Sequence, residues 1–385
     1  MKRLQHLSVQ MFAALGRLQK RLKDWTIRHP RLANWVFQPA ETIAEDAYAE
    51  VNRRMFSLWG EQERMLADKP RMTFYHEMIR RKIRAGDRVI DLGTGTGILA
   101  AFASRQGAAK VYALDHSTII EDARLLARRN KIENVEFVAI HSRRFKTDEP
   151  VDVILHEQMG DSLFNESMVA NILDLRDRLL KEGGRILPAR FEFYCEPVQL
   201  SDHGTLPFIW ELNVKGFDFG SLEQYQPEDR EYYFFSTTDT TIVDHFLCEP
   251  TPLMTIDLNT LKRSDLPMEW SMGLPVARAG RMDGYAVFFK ALVDDDLELS
   301  TSPLDKGRAP HWGFLILRTG QLRVHEGDVI DMSISADKGW ANTDSWRWEQ
   351  TVYTTEQYRD CMYEGDEPLE DEEDCPSGSG KVPLE

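Results

Sequence analysis

The chain has 385 residues, enough for two domains with sizeable cores, and its 42% hydrophobic and 29% charged content is that of an ordinary globular protein. No run reaches the roughly 18 apolar residues of a membrane-spanning helix. Cys195, Cys248, Cys361 and Cys375 form no Cys-x-x-Cys pair, so neither a zinc site nor a disulfide framework is suggested and a reducing cytoplasm is the simplest home; the formal charge of −16 argues against non-specific nucleic-acid binding.

Residues 1–40 carry eight Lys/Arg and one acid, and polar Gln5, His6 and Gln10 argue against a cleaved signal peptide. Leu4, Leu7, Met11, Leu15, Leu18, Leu22 and Trp25 recur at spacings of three and four, which predicts a basic amphipathic helix closed by His29-Pro30. Three surfaces stay open for its apolar stripe: its own protein, a partner, or a membrane. Residues 41–85 also read as helical, punctuated at Gly60 and Pro70. From about residue 86 strands and helices alternate. Strands are predicted at Arg88–Leu92, Lys110–Leu114, Val135–Ile140 and Val151–Leu155, with helices at Ile98–Ser104, Ile119–Asn130 and Met168–Leu180. That order implies a parallel sheet with right-handed crossovers. Beyond Pro188 the period turns to two in Phe191–Cys195, Tyr285–Leu292, Gly313–Leu317, Val329–Ile334 and Thr351–Thr354, which predicts an antiparallel β domain. Residues 361–385 hold nine acids and one Lys, and their acidic, Pro/Ser/Gly-rich character predicts disorder.

Two segments carry chemistry. In Asp91-Leu92-Gly93-Thr94-Gly95-Thr96-Gly97 a strand runs through a G-x-G-x-G turn into a helix, and Asp115 ends the next strand about 20 residues on. The glycines admit close backbone approach, and an acid in that place accepts hydrogen bonds from a ribose diol. The spacing differs from the dinucleotide G-x-G-x-x-G and resembles motif I of class I S-adenosylmethionine (SAM) methyltransferases, with a dehydrogenase as the geometric alternative. Second, Glu157 and Glu166 flank one loop at the carboxyl end of the fourth strand. Spacing alone leaves two readings, solvated loop acids or a forked clamp for a planar guanidinium.

The loop His156-Glu157-Gln158-Met159-Gly160…Asn165-Glu166-Ser167-Met168 resembles the double-glutamate loop of protein arginine methyltransferases. Trp59-Gly60-Glu61-Gln62-Glu63-Arg64-Met65-Leu66 resembles that family's F-G-x-H-E-x-M-L helix. Asn213–Asp218 resembles its N-V-Y-G-F-D step, and Leu299–Pro303 with Pro310-His311-Trp312 resembles F-S-T-S-P…T-H-W. These landmarks span about residues 45–335 in order.

The resemblance implies an α/β Rossmann-like SAM-binding domain followed by an antiparallel β-barrel-like domain, with N-terminal helices. The implied bounds are 1–40 for a basic helical extension, 41–85 for a helical cover over SAM and 86–188 for the SAM domain. The substrate domain would be 189–360, with a dimerisation arm near 220–240, and the tail 361–385. Arg71 would pair the methionyl carboxylate, Asp115 the ribose, and Asp91, Gly93, Gly95 and Gly97 would shape the pocket. Glu157 and Glu166 would clamp the guanidinium, Met65 and Met159 would line the reacting centre, and His311 would pair with Asp68, supported by Trp312. A packed histidine without a chemical role is the alternative for His311. No metal is implied.

The implied activity is methyl transfer from SAM to arginine in a protein or peptide, by a cytoplasmic homodimer. Free arginine or another small acceptor is one alternative, and a SAM-binding scaffold with little catalysis is another. Three departures motivate them. Asn52–Phe56 lacks the family's two tyrosines and brings Arg53 and Arg54. Arg143 stands where an acid contacts adenine. Gln158 and Asp161 replace an aromatic pair in the acidic loop.

Overall fold

The computed structural model describes residues 53–358, so the basic N-terminal helix, the helical reading of residues 41–52 and the acidic tail lie outside the described residues. Residues 53–58 belong to an N-terminal unit, in which 53–55 make one helical turn and Ser57 Oγ donates to the Arg54 carbonyl at 2.8 Å. The rest of the described chain belongs to a second unit that begins at Trp59.

Two helices open this unit, α1 (Trp59–Ala67) and α2 (Lys69–Lys82). The break between them is chemical. Asp68 caps α2, accepting from the Arg71 N–H at 2.9 Å, and Pro70 sits in the first turn, where its missing N–H costs nothing. Arg80, Arg81 and Lys82 close the helix against its negative end. The cap turns Asp68 and Arg71 inward, and both are buried.

Next come β1 (Arg88–Leu92), α3 (Ile98–Arg105), β2 (Lys110–Asp115), α4 (Ile120–Arg129), β3 (Val135–Ala139), β4 (Val151–His156), α5 (Met168–Leu179) and β5 (Leu180–Leu187). The strands form one parallel sheet in the order β3-β2-β1-β4-β5. The direction of winding reverses between β1 and β4, and ligands of such sheets sit at the carboxyl ends there. The glycine loop follows β1 and the acidic loop follows β4, so the topology brings the two chemical segments together. Strand β5 is an addition to the sequence reading. The sequence reading places no strand between the helix ending at Leu180 and Pro188, yet Ile186 and Leu187 pair with Ile154 and Leu155. An edge strand tolerates glycines that a central one would not.

The antiparallel part has two sheets. The larger runs β10 (Val243–Phe246), β6 (Arg190–Leu200), β13 (Gly280–Asp294), β15 (Phe314–Val324) and β9 (Phe234–Thr237), with β11 (Met254–Asp257) on β6 and β14 (Leu297–Ser300) on β13. The smaller is β12 (Glu269–Pro275), β16 (Val329–Ala336) and β17 (Trp346–Tyr353). A two-stranded ribbon, β7 (Asn213–Val214) and β8 (Phe217–Asp218), lies in the excursion between β6 and β9. The β16–β17 ladder alternates as period two demands, whereas the middle of β13 is buried on both faces. One face of β13 packs Tyr285, Val287 and Phe289 into the main core; the other packs Ala286 and Phe288 into a second cluster with Tyr194 and Phe314.

The two parts meet through aromatic packing. Phe164, from the acidic loop, lies 5.4 Å from the Phe193 ring and 6.2 Å from Trp340, and Phe193 meets Trp346 edge-on at 6.0 Å. Each such buried ring is worth about 2–3 kcal/mol, whereas the exposed Arg81–Asp296 pair that joins α2 to the β13–β14 turn is screened by solvent and adds little. The seam is therefore held from inside. Among the described residues no helix is long and apolar enough to cross a membrane.

Candidate active site

The glycine loop is built on positive φ angles at Gly93 (72°), Gly95 (53°) and Gly97 (84°). The Gly93 and Thr94 N–H groups both donate to the Leu114 carbonyl at 2.9 Å. A Cβ on Gly95 would lie 2.9 Å from Gln62 Oε1, so α1 closes directly over the loop. Asp91 is fully buried and faces inward: Oδ2 accepts from Thr94 Oγ1 (2.6 Å) and from the Ala100 N–H (3.0 Å). Burial pushes its carboxyl up to about 6. It braces strand, loop and helix from behind. Asp115 accepts from the Gly95 N–H (2.9 Å) through Oδ2 and from the Ser117 N–H (2.7 Å) through Oδ1. A carboxylate has about four acceptor positions, so two remain for a ribose diol.

At the end of β4, His156 is buried and held neutral; burial lowers its titration to about 4, and Nε2 is 2.7 Å from the Pro188 carbonyl. Glu157 follows. It receives a fork from Arg71, with Nε to Oε1 and Nη2 to Oε2 both at 3.3 Å. Arg71 also donates from Nη1 to the Met65 carbonyl at 2.9 Å, and its guanidinium lies 5.7 Å from the Tyr75 ring and 5.8 Å from Trp312. A cofactor carboxylate would share this guanidinium with Glu157.

The loop between the glutamates is a buckle. Leu163 and Ser167 both hold positive φ (65° and 57°), a conformation that costs about 1 kcal/mol or more in a non-glycine residue. Burial of Leu163 and Phe164 offsets it. Asp161 ties the loop to the antiparallel sheet, accepting from the Gly313 N–H (2.7 Å) and Ser236 Oγ (2.6 Å). This acid, which replaces an aromatic residue of the family pattern, thus spends one contact of each oxygen on the sheet. Glu166 is different. Half-buried beyond the buckle, it has no hydrogen-bond or ion-pair partner among the described residues. Burial, then the Glu157 and Asp161 charges, push its carboxyl up to about 8. An unpaired carboxyl beside two others is a site waiting for a cation.

Met65 and Met159 are both buried here, and Trp312 donates from Nε1 to the Met159 carbonyl. The expected pairing of the His311 ring with Asp68 is not made. The Asp68 carboxylate accepts two backbone amides, the Arg71 N–H at Oδ1 and the His311 N–H at Oδ2, both at 2.9 Å, and makes no hydrogen bond or ion pair with the His311 ring. The ring instead turns its Nε2 to Glu61 Oε1 at 3.7 Å. The position aligned with the family's adenine acid, Arg143, is exposed, and near it the His116 and His141 rings lie 5.6 Å apart.

Three site residues escaped the sequence reading: Gln62, which covers Gly95; Glu61, which meets His311; and Tyr75, fully buried beneath the Arg71 guanidinium, with a hydroxyl that has no hydrogen-bond partner among the described residues. Tyr75 lies four residues after Arg71 on α2, a helical spacing that points it to the same face.

Comparisons with known proteins agree with this fold. Residues 74–187 match the family model described as ribosomal protein L11 methyltransferase (PrmA), and residues 191–367 match the arginine methyltransferase oligomerization subdomain. Protein arginine N-methyltransferase 6 of Danio rerio is 30% identical over 266 residues, covering 66% of this chain and 75% of that protein. Protein arginine N-methyltransferase PRMT10 of Oryza sativa subsp. japonica is 29% identical over 303 residues, covering 71% and 80%. Among solved structures, Arabidopsis thaliana protein arginine methyltransferase 10 superposes with a TM-score of 0.63 at 22% identity, covering 79% of this chain and 99% of that one. The Trypanosoma brucei PRMT1 enzyme–prozyme heterotetrameric complex with AdoHcy gives 0.62 at 23% identity, covering 77% and 99%.

Proposed function

The chain belongs to the protein arginine N-methyltransferase family, and from that premise we propose that Glu157 and Glu166 hold the guanidinium that it methylates. The observation that carries this assignment is the unpartnered Glu166 carboxyl, pushed up to about 8 within reach of the Glu157 and Asp161 charges. S-adenosylmethionine supplies the methyl group, carried on its sulfonium. The residues present fit that group: the positive-φ glycine loop gives close backbone approach, Asp115 has acceptor positions to spare for the ribose, and Arg71 is a buried cation for the methionyl carboxylate.

A guanidinium is a poor nucleophile because its lone pairs are delocalised. Glu157, oriented by Arg71, and Glu166, oriented by the buckled loop, draw positive charge toward two of its nitrogens and leave the third richer in electron density. Met65 and Met159 keep the cleft apolar, which strengthens those charge interactions. Positioning supplies much of the remainder, since well-oriented reactants gain about 7–11 kcal/mol. As a guanidinium enters, Glu166 gives up its proton to water, and the nitrogen that gains the methyl group sheds one of its own protons to Glu166 or to water.

We further infer a homodimer. Leu206 (58% exposed), Phe217 (73%) and Tyr225 (73%) lie bare along the excursion between β6 and β9, and Leu125 (57%) and Leu126 (44%) lie bare on the outer face of α4. Two such patches on one chain suit a reciprocal contact between copies. Sedimentation of wild type and Phe217→Glu tests it: a dimer that becomes a monomer supports the contact, and unchanged mass refutes it. The free thiols of Cys195 and Cys248 suit a reducing, cytoplasmic setting.

The test of function is incubation with methyl-labelled SAM, arginine-rich peptides and free arginine, with amino-acid analysis of the product. Methylarginine in the peptides is expected. Label on free arginine alone would move the acceptor to a small molecule, and SAM binding without turnover would leave a scaffold.

A further inference from the structure

The His311 ring needs a partner that Asp68 does not provide. Both Asp68 oxygens accept backbone amides, one at the start of α2 and one at His311 itself, and the side chain is buried. Asp68 therefore places the His311 backbone and leaves its imidazole to be oriented by something else. On one side stands Trp312, edge-on at 5.8 Å and 71°. On the other, Nε2 lies 3.7 Å from Glu61 Oε1, with only 14% of the histidine side chain and 10% of the glutamate side chain exposed.

Glu61 is itself well held. It projects from the first turn of α1, and its second oxygen pairs with Arg64 one turn later, so its first oxygen has little rotational choice. The Glu61–His311 pair stands beside the acidic loop: next to His311, Trp312 donates from Nε1 to the Met159 carbonyl.

We propose that Glu61 is a positioning residue that orients the His311 imidazole, and balances its charge when it carries a proton, at the rim of the carboxylate cleft. The proposal rests on the arginine-methylating reading for its kinetic consequences, but the contact itself does not. Glu61 works through His311. A ring fixed in this way keeps a single orientation beside Trp312.

A double-mutant cycle with an activity-free companion tests it. In peptide methylation, Glu61→Gln is expected to lower kcat about 10-fold with the peptide KM changed less than about 2-fold. In a His311→Gln background the same substitution is expected to change kcat less than about 2-fold, because the group it acts through is gone. An equal loss in both backgrounds, or a loss in KM, would overturn the proposal. The companion is NMR of the histidine ring nitrogens: Glu61→Gln should move the His311 resonances and leave those of remote His245 in place. Unmoved His311 resonances overturn the contact whether or not the protein methylates arginine. Should Glu61→Gln not fold, Arg64→Ala, at a side chain 71% exposed, frees the carboxylate and should move the same resonances without lowering the melting temperature.

Discussion

Replacing Glu166 by Gln should stabilise the protein at alkaline pH while removing its activity. The carboxyl ordinarily titrates near 4.5, and in the fold it is pushed up to about 8 by burial, then by Glu157 and Asp161. Below pH 4.5 folded and unfolded states both hold the proton, and relative to the neutral amide Glu166 costs nothing. Between 4.5 and 8 the folded state keeps a proton that the unfolded chain has released, so stability is lost as pH rises through this window. Each pH unit between the two titrations is worth about 1.4 kcal/mol, which sets a ceiling of about 5 kcal/mol. A half-buried group beside coupled neighbours realises part of that, and about 1–3 kcal/mol is expected. Urea denaturation of wild type and Glu166→Gln without peptide, at about pH 5 and about pH 8.5, reads it directly. The variant should gain about 1–3 kcal/mol on wild type between the two conditions and lose at least about 100-fold in kcat/KM. A stability difference that does not change with pH would refute the assignment of a strained, unpaired carboxyl.

Further outcomes follow from the same geometry. Glu157→Gln should lower turnover at least about 100-fold and weaken S-adenosylhomocysteine binding as well, because the Arg71 fork loses its charged partner; equal labelling by the variant would remove Glu157 from its role. Gly97→Ala places a Cβ 3.0 Å from Phe137 at a φ of 84°, and calorimetry should find S-adenosylhomocysteine affinity down about 10-fold or more. Asp161→Ala orphans the Gly313 N–H and Ser236 hydroxyl and should cost about 1–3 kcal/mol in denaturation, with a fall in kcat as the buckle loosens. Raising salt from about 50 to about 500 mM should raise the KM for an arginine-rich peptide several-fold with kcat unchanged, since the −16 chain attracts cations at long range.

Local pattern was enough for four of the five strands of the parallel sheet, because strand and helix periods and the glycine turn are short-range properties of consecutive residues. The same pattern placed Gly93, Gly95, Gly97 and Asp115 on one loop and Glu157 and Glu166 on another. It missed β5, whose two glycines look like a turn until an edge position makes them tolerable, and it cut β13 short, because a strand buried on both faces does not alternate. What the tertiary structure alone decided is which polar groups are already spent. Asp68 receives the His311 amide and Asp161 the Gly313 amide and the Ser236 hydroxyl, all brought from more than 70 residues away, and Glu166 is left without a hydrogen-bond or ion-pair partner among the described residues. The His311 ring meets Glu61 rather than Asp68 for the same reason. Hydrogen-bond capacity is finite and is filled across the whole fold, so a residue's chemistry depends on neighbours that no local window contains.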